Sequence, residues 1–267
     1  MATSERNFEG QVVVITGASS GIGAALGREF ARQGANTVLV ARRIERIEAL
    51  AAELTSGGRR AVAVAGDVTR DGDMERAVEL ARAEFGRLDA AVANAGILVK
   101  GEVLQLTLDD YRKQLETNTL GALRLVKAGL PELEKTRGRI VLVGSLFGMV
   151  SVPEFTPYCM SKFALNALAE GLSYELAPSG ISVTQVMCGF VDTEIYASAP
   201  LRRTPPKWMA LTADQAARQI VSAAHGRQRC RMIPWPTRMA ILLQRYAPGV
   251  VHLAINRAFS KAARPAN

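Results

Sequence analysis

The stretch that decides the fold is Thr16-Gly17-Ala18-Ser19-Ser20-Gly21-Ile22-Gly23, which directly follows the β-branched run Val12-Val13-Val14-Ile15. Glycines 17, 21 and 23 allow a tight turn, a close backbone approach to a pyrophosphate and close packing of the next helix on the strand. The N-terminus of that helix presents free N–H groups and positive potential to an anion. Because a strand precedes and a helix follows, the pattern favours a nucleotide-binding turn over an ordinary tight turn, with expected contacts from Gly17, Ser19, Ser20, Gly21, Ile22 and Gly23.

Working outward, short apolar runs alternate with longer amphipathic stretches. Further strand-like runs cover 37–40, 61–64, 88–92, 139–143 and 181–186, and each is nearly continuous in apolar residues. Helical patterns lie between them at 21–33, 44–56, 71–85, 107–135 and 155–178. Strands buried on both faces and joined by helices require right-handed crossovers. The sequence therefore predicts an α/β fold of the Rossmann type, a doubly wound parallel sheet of about seven strands with helices on both faces.

The chain is expected to form one domain over 1–267, with a nucleotide-binding and catalytic core at 8–195. Residues 196–234 are expected to hold a substrate loop, rich in proline and basic residues at 198–207, then a helix capped by Thr212 and Gln215 and a last strand at 231–233. An apolar helical tail covers 235–267 and is interrupted at Pro248-Gly249. That tail could cover the substrate pocket, form a subunit interface or lie on a membrane surface, and burial against the domain or a second subunit is the favoured alternative.

Composition narrows the class of protein. The 267 residues are 48% hydrophobic and 22% charged, which is typical of a globular chain. The net charge of +8 is compatible with an anionic partner such as nucleic acid, acidic lipid, a phosphorylated cofactor or an acidic carrier protein, and by itself it does not choose among them. Three cysteines without C-x-x-C spacing and two histidines predict neither a disulfide framework nor a metal site, and favour a reducing cytoplasm. The N-terminus has no apolar leader and no run approaches about 18 apolar residues, so neither export nor bilayer crossing is expected.

Two arginines indicate the kind of cofactor. Arg42 and Arg43 end the second strand, where an NAD enzyme would carry an acidic residue for the ribose hydroxyls. A guanidinium can grip a 2'-phosphate, so the prediction is NADP(H), preferred over NAD(H). The alternative is a pair of solvated arginines that open a helix.

Residues after the third and fourth strands complete the predicted cofactor contacts. Asp67 and Val68 are placed to touch an adenine, and Asn94-Ala95-Gly96 follow the fourth strand, where turn formation is the plain alternative for the first and last of them.

The chemistry is predicted from Tyr158-Cys159-Met160-Ser161-Lys162 and from Ser145 at the end of the fifth strand. Residues i and i+4 share a helix face, so Lys162 lies one turn from Tyr158. An ammonium about 4 Å away stabilises a phenolate by about 4 kcal/mol at an effective dielectric constant near 20. That effect would lower the pKa of the tyrosine from about 10 to about 7, so that the phenol could act as an acid or base at neutral pH.

Together these separated motifs, with Asn118, resemble the short-chain dehydrogenase/reductase family over about residues 8–195. The resemblance implies that Tyr158 transfers the hydroxyl proton, that Ser145 hydrogen-bonds the substrate oxygen, and that Asn118 holds a water in the proton relay. It also implies that Lys162 both lowers the tyrosine pKa and binds the nicotinamide ribose. After the sixth strand Val191 and Thr193 match the family pattern, in which a threonine contacts the carboxamide.

Two departures from the family pattern stand out. Cys188 occupies the place of a usual proline, which leaves the turn before Gly189 less rigid. The chain also continues about 30 residues past its last strand, whereas the acyl-carrier-protein reductases of the family end soon after theirs. In this longer tail it resembles members that act on lipophilic carbonyls, including hydroxysteroid dehydrogenase-like ones.

The resulting hypothesis is an NADP(H)-dependent oxidoreductase that interconverts a ketone or aldehyde with an alcohol on an apolar small molecule. A homodimer or homotetramer is expected. The arginine pair makes a nucleic-acid partner unnecessary, and peripheral membrane contact through the tail stays a lesser alternative. A non-catalytic NADP(H)-binding or scaffold protein and a 3-oxoacyl-thioester reductase are the other functions considered.

Overall fold

The computed structural model describes residues 7–196 and 210–260. Within those ranges the strands are β1 (Val12–Thr16), β2 (Asn36–Ala41), β3 (Ala61–Ala65), β4 (Ala90–Ala93), β5 (Arg139–Ser145), β6 (Ser182–Cys188), β7 (Phe190–Asp192), β8 (Ala210–Thr212) and β9 (Cys230–Ile233). The α-helices there are α1 (Gly21–Arg32), α2 (Ile44–Ser56), α3 (Asp73–Phe85), α4 (Leu108–Leu115), α5 (Gly121–Thr136), α6 (Thr156–Glu175), α7 (Ala213–His225), α8 (Trp235–Tyr246) and α9 (Pro248–Ser260).

Seven of the strands form one parallel sheet in the order β3-β2-β1-β4-β5-β6-β9, and β7 pairs with β8 in a small second sheet. The predicted α/β architecture is therefore confirmed. Strand order reverses between β1 and β4, and such a reversal opens a crevice at the carboxyl ends of the strands. The glycine-rich turn, which leaves the end of β1, stands at this crevice.

Side chains of the central strands alternate between two hydrophobic layers. Val13 and Ile15 of β1 face one layer, which also holds residues of α1, α2 and α7. Val12 and Val14 face the other, with residues of α3, α5 and α6. Both faces of the strand are buried, which explains why β1 reads as an uninterrupted apolar run in the sequence.

The helix predicted over 107–135 is not continuous. α4 ends at Leu115, a π-helical turn covers Glu116–Leu120, and α5 begins at Gly121. The π turn carries the buried Asn118, whose side chain makes three hydrogen bonds outside its own helix. Periodicity cannot reveal one inserted residue of this kind, because π turns arise from local tertiary contacts and often mark functional sites.

The C-terminal expectations are met in outline. Thr212 and Gln215 form the predicted capping box of α7, and β9 is the last strand of the large sheet. The break in the tail falls at Ala247, and Pro248 begins α9 instead of interrupting it. The proline-rich segment 198–207 lies outside the described residues. Across 7–196 and 210–260, no helix has both the length and the apolar character needed to cross a membrane.

Candidate active site

One cleft of about 590 Å³ lies at the carboxyl edge of the sheet. It brings together residues that are far apart in the sequence. All of the predicted site residues line it except Gly23 and Asn118: Gly17, Ser19, Ser20, Gly21, Ile22, Arg42, Arg43, Asp67, Val68, Asn94, Ala95, Gly96, Ser145, Tyr158, Lys162, Val191 and Thr193. Within the described residues, no group of three or more His, Cys, Asp or Glu side chains is placed to hold a metal ion.

The glycine turn has the conformation that the sequence predicts. Gly17 and Gly21 have φ angles of 69° and 52°, in the left-handed region that favours glycine. A Cβ on Gly23 would collide with the carbonyl oxygen of Gly17, so this glycine packs the helix on the turn instead of lining the cleft. Ser20 is the N-cap of α1, and among the described residues its side chain does not cap the helix. The first turn of α1 therefore has no side-chain cap, and its residues Gly21 and Ile22 line the cleft, where free N–H groups can bind a pyrophosphate.

Asn94 is hydrogen-bonded to Thr16, the residue that begins the glycine turn. Its Nδ2 donates to the carbonyl oxygen of Thr16 at 3.0 Å, and its backbone N–H donates to Thr16 Oγ1 at 3.1 Å. The carboxamide ties the end of β4 to the end of β1. The turn-forming role considered for Asn94 thus accounts for its hydrogen bonds, and the residue also lines the cleft.

The two predicted phosphate-binding arginines differ. Arg43 donates to the hydroxyls of Ser19 and Ser20 at 3.0 and 2.8 Å, so guanidinium and hydroxyls converge at one end of the cleft. Arg42 is largely exposed and lies 3.9 Å from a carboxylate oxygen of Asp67. Burial opposes ionisation of Asp67, but hydrogen bonds from Thr69 and the charge of Arg42 hold its pKa below the ordinary value.

Sequence reasoning missed Glu194. Its carboxylate forms salt bridges with Arg43 at 3.1 Å and with Arg46 at 2.8 Å. Hydrogen bonds from Arg46 and Arg43 lower the pKa of Glu194. An internal anion thus holds the arginine that was predicted to bind a phosphate. Its place directly after Thr193 was the only signal in the sequence, and the pairing spans about 150 residues.

Asn118 lies behind the cleft. Its Oδ1 accepts the N–H of Ile97 at 2.8 Å, and its Nδ2 donates to Ile97 O and to Ser161 Oγ, both at 3.0 Å. The carboxamide of Asn118 therefore makes its hydrogen bonds to groups inside the protein. The side chain joins the segment after β4 to α6 and does not reach the cleft surface.

Ser145, Tyr158 and Lys162 meet at the centre of the cleft. Ser145 Oγ accepts the N–H of Phe147 at 3.2 Å. Lys162 Nζ donates to Val143 O at 3.1 Å and lies 5.7 Å from the centre of the Tyr158 ring. The one-turn spacing on α6 therefore places the ammonium on the same side of the helix as the tyrosine ring.

The predicted direction of the tyrosine pKa shift is wrong for the protein on its own. Burial raises the pKa of Tyr158, the neighbouring Tyr196 adds to the increase, and the hydroxyl of Ser145 offsets only part of it. Burial also lowers the pKa of Lys162 to about 8, which weakens its charge. The sequence estimate counted the Coulomb attraction and omitted the cost of desolvating both groups.

An aromatic wall stands beside the phenol. Phe147 packs edge-on against Tyr158 and Phe190, with ring centres 6.2 and 6.1 Å apart. Phe155, Leu98 and Cys159 form a small buried cluster behind them, against which Tyr196 also packs. Burial raises the pKa of Cys188, another cleft residue, to about 12, so its thiol stays neutral. Sequence reasoning did not single out these apolar residues, because their common location depends on contacts between segments that are distant in the sequence.

The comparisons with known proteins agree with this geometry. The family model described as short chain dehydrogenase matches residues 11–203. The oxidoreductase UcpA of Salmonella typhimurium is 39% identical over 198 residues, covering 73% of this chain and 75% of that protein. A hydroxysteroid 11-beta-dehydrogenase 1-like protein of Danio rerio is 33% identical over 248 residues, covering 92% and 86% of the two chains.

A solved structure gives the same result in three dimensions. The alcohol dehydrogenase of the archaeon Thermococcus sibiricus, complexed with 5-hydroxy-NADP, superposes with a TM-score of 0.74. It is 29% identical and covers 84% of this chain and 94% of its own. With a matched family model, relatives above 30% identity and the converging glycine turn, serine, tyrosine and lysine, the chain belongs to the short-chain dehydrogenase/reductase family of oxidoreductases, which use a nicotinamide cofactor.

Proposed function

We propose that the protein is an NADP(H)-dependent oxidoreductase that interconverts a ketone or aldehyde with an alcohol on an apolar small molecule. The observation that carries this proposal is the meeting of Ser145, Tyr158 and Lys162 in the same cleft as the glycine turn. A module that only bound the nucleotide would not need a buried phenol beside an ammonium.

In the direction of reduction, Tyr158 donates its proton to the substrate oxygen while Ser145 donates a hydrogen bond to the same oxygen. NADPH held by the glycine turn and Arg43 would supply the hydride for the carbonyl carbon, and the C=O electron pair would move onto the oxygen that Tyr158 protonates. Burial keeps the Tyr158 phenol protonated and ready to donate. Lys162 stabilises the phenolate that remains, and in the direction of oxidation the phenolate takes the proton back.

The preference for NADP(H) rests on the end of the cleft at Arg43. The Arg43 guanidinium lies within 3.2 Å of two serine hydroxyls, and together these groups offer several hydrogen-bond donors of the kind that a phosphate accepts. The adjacent Arg42 is exposed and adds positive charge at the same edge. The solved relative bound to an NADP derivative supports the same preference.

The apolar character of the substrate rests on the aromatic wall. Phe147 packs edge-on against the reacting tyrosine and against Phe190, and these two rings line a small pocket that shares Ser145, Gly189 and Tyr196 with the cleft. Rings of this kind bury apolar ligand surface efficiently. The name of the zebrafish relative points to a steroid-type carbonyl as one compound to test.

The test is Tyr158→Phe, with Tyr174→Phe as the matched control. Tyr174 lies on the same helix, is exposed and bonds only to Glu170 in the described hydrogen bonds. We expect Tyr158→Phe to bind NADPH as the wild type does, measured by cofactor fluorescence, and to lose turnover at least about 100-fold. The panel includes a steroid ketone, an aryl ketone and a 3-oxoacyl thioester.

Two outcomes would contradict the proposal. Retained turnover in Tyr158→Phe would refute the role of the phenol, and absence of turnover by the wild type on every carbonyl would favour the non-catalytic alternative. The homodimer or homotetramer and the cytoplasmic location remain predictions, and light scattering on the purified protein tests the first.

A further inference from the structure

α8 carries an exposed apolar stripe. Its exposed large side chains recur at intervals of three or four residues and fall within about 100° of the helix circumference: Trp235, Met239, Leu242, Leu243 and Tyr246. The opposite side holds the buried residues of the helix, Thr237 and Ile241, and Thr237 Oγ1 donates to Ile233 O at 3.1 Å. The helix is therefore anchored through one face and presents the apolar face outward.

α9 packs against α8 and carries further exposed apolar side chains. Val250 and Leu253 are about half exposed, and no described side chain of α9 is buried. The aromatic residues stand at the two ends of α8, with Trp235 71% and Tyr246 77% exposed. We call the α8 stripe, together with Val250 and Leu253, the tail surface. Large apolar side chains that are exposed together on neighbouring helices are typical of an interaction site.

The net positive charge of the chain comes from the C-terminal part that includes the tail surface. Residues 215–267 contain nine of the 33 Lys and Arg residues and none of the 25 Asp and Glu residues. The preceding 214 residues hold the remaining 24 cations and all 25 anions, so the whole positive excess belongs to the C-terminal fifth. Arg238 and Arg245 are exposed on α8 beside the stripe, and Arg257 is exposed on α9.

We propose that the tail surface docks on the surface of a bilayer that contains anionic phospholipid. A helix with an apolar face flanked by arginines lies in the interfacial plane, with the apolar side chains among the acyl chains and the cations at the headgroups. Tryptophan and tyrosine suit that boundary because each has an apolar ring and a polar group. Docking of this kind does not require a helix that spans the membrane.

The charge pattern favours a membrane over a second copy of the chain. A two-fold symmetric interface places a patch against itself, so Arg238 and Arg245 would face cations with no carboxylate from either tail to offset them. An anionic lipid surface attracts the same residues. Each basic side chain close to such a surface strengthens binding about fivefold.

Docking would place the cleft near the lipid. Gly189 lines the cleft, and a Cβ there would meet Thr237 and Pro234 at the start of α8. The buried face of α8 thus packs on the cleft wall, and only this helix separates the cleft from the apolar stripe. If the proposed function holds, this adjacency suits substrates that dissolve in lipid.

The test is sedimentation of the full-length protein with sucrose-loaded vesicles of phosphatidylcholine alone, or with 30% phosphatidylserine. We expect binding to the anionic vesicles, weakened by salt, and little binding to the neutral ones. Arg238→Glu with Arg245→Glu should reduce the binding at least 20-fold, and Met239→Ser with Leu243→Ser should abolish it. A matched control, Arg82→Glu with Lys127→Glu on α3 and α5, should bind like the wild type.

A second measurement reports insertion directly. In a Trp208→Phe background Trp235 is the single tryptophan, and its emission should shift to the blue on anionic vesicles. Unchanged NADPH binding and thermal midpoint show that each variant is folded, and loss of carbonyl turnover by itself would not bear on docking. The proposal is overturned if the wild type stays in the supernatant with anionic vesicles, or if the α8 charge-reversal variant binds them as well as the control variant does. It is also overturned if the wild type binds no vesicles and the serine substitutions convert a dimer into a monomer, because the tail surface would then be a subunit interface.

Discussion

Arg43→Ala is the substitution that most directly tests how the cleft recognises its cofactor. The guanidinium contacts the Ser19 and Ser20 hydroxyls at the end of the cleft, and the side chain is 45% exposed. Water therefore reaches the pair that Arg43 would form with a 2'-phosphate. The substitution removes one positive charge and leaves the serine hydroxyls in place.

The magnitude follows from charge and exposure. Two unit charges about 4 Å apart interact with about 1 kcal/mol in water, and the value of about 4 kcal/mol for a less solvated site does not apply to a half-exposed guanidinium. A phosphate monoester carries close to two negative charges, so the expected loss is about 2 kcal/mol. We therefore expect the Kd of NADPH to rise about 30-fold. The Kd of NADH, which lacks the phosphate, should change less than about threefold.

The assay is titration of each reduced cofactor by its fluorescence at two salt concentrations. Arg82→Ala serves as the control, because Arg82 is an exposed arginine of α3 paired only with Glu79 in the described salt bridges. Salt should weaken NADPH binding to the wild type more than to Arg43→Ala. Equal losses for NADPH and NADH in Arg43→Ala, or no loss for either, would refute recognition of the phosphate by this arginine.

Three further predictions follow from the site and the core. Glu194→Gln removes the carboxylate that holds Arg43, so NADPH should bind several-fold tighter in the same titration while NADH is unaffected. Asp89→Asn should lower the free energy of unfolding in urea by about 2–3 kcal/mol, because the buried Asp89 carboxylate accepts the N–H of Val12 and a charged bond from Arg87. Carbonyl reduction should persist below pH 8 and fall above it, since Lys162 with a pKa of about 8 loses its charge as pH rises. A reduction rate that stays constant from pH 7 to 9.5 would contradict the prediction for Lys162. An unfolding curve of Asp89→Asn that matches the wild type would contradict the prediction for Asp89.

Some features of the fold and site follow from short stretches of sequence. The run Val12–Ile15 and the glycines after it predict a buried strand, a turn and a helix because each rests on local conformational preference. The capping box of Thr212 and Gln215 is local for the same reason. The neighbourhood of Tyr158 and Lys162 needs only the period of a helix.

Other features depend on contacts between distant segments. The π turn at Asn118 forms where its side chain meets Ile97 and Ser161, and no spacing in the sequence encodes that meeting. Glu194 reaches Arg43 only because the chain returns to the glycine turn after six strands. Neither contact changes the hydrophobic pattern, so periodicity could not predict either one.

The sequence by itself determined the alternation of strands and helices along the chain, the glycine-rich turn and the residue types of the candidate active site, because those properties are set within a few residues of the chain. The tertiary structure decided the electrostatics of the site. Burial raises the pKa of Tyr158 and lowers that of Lys162, and desolvation depends on every segment packed around a group, not on its neighbours in sequence.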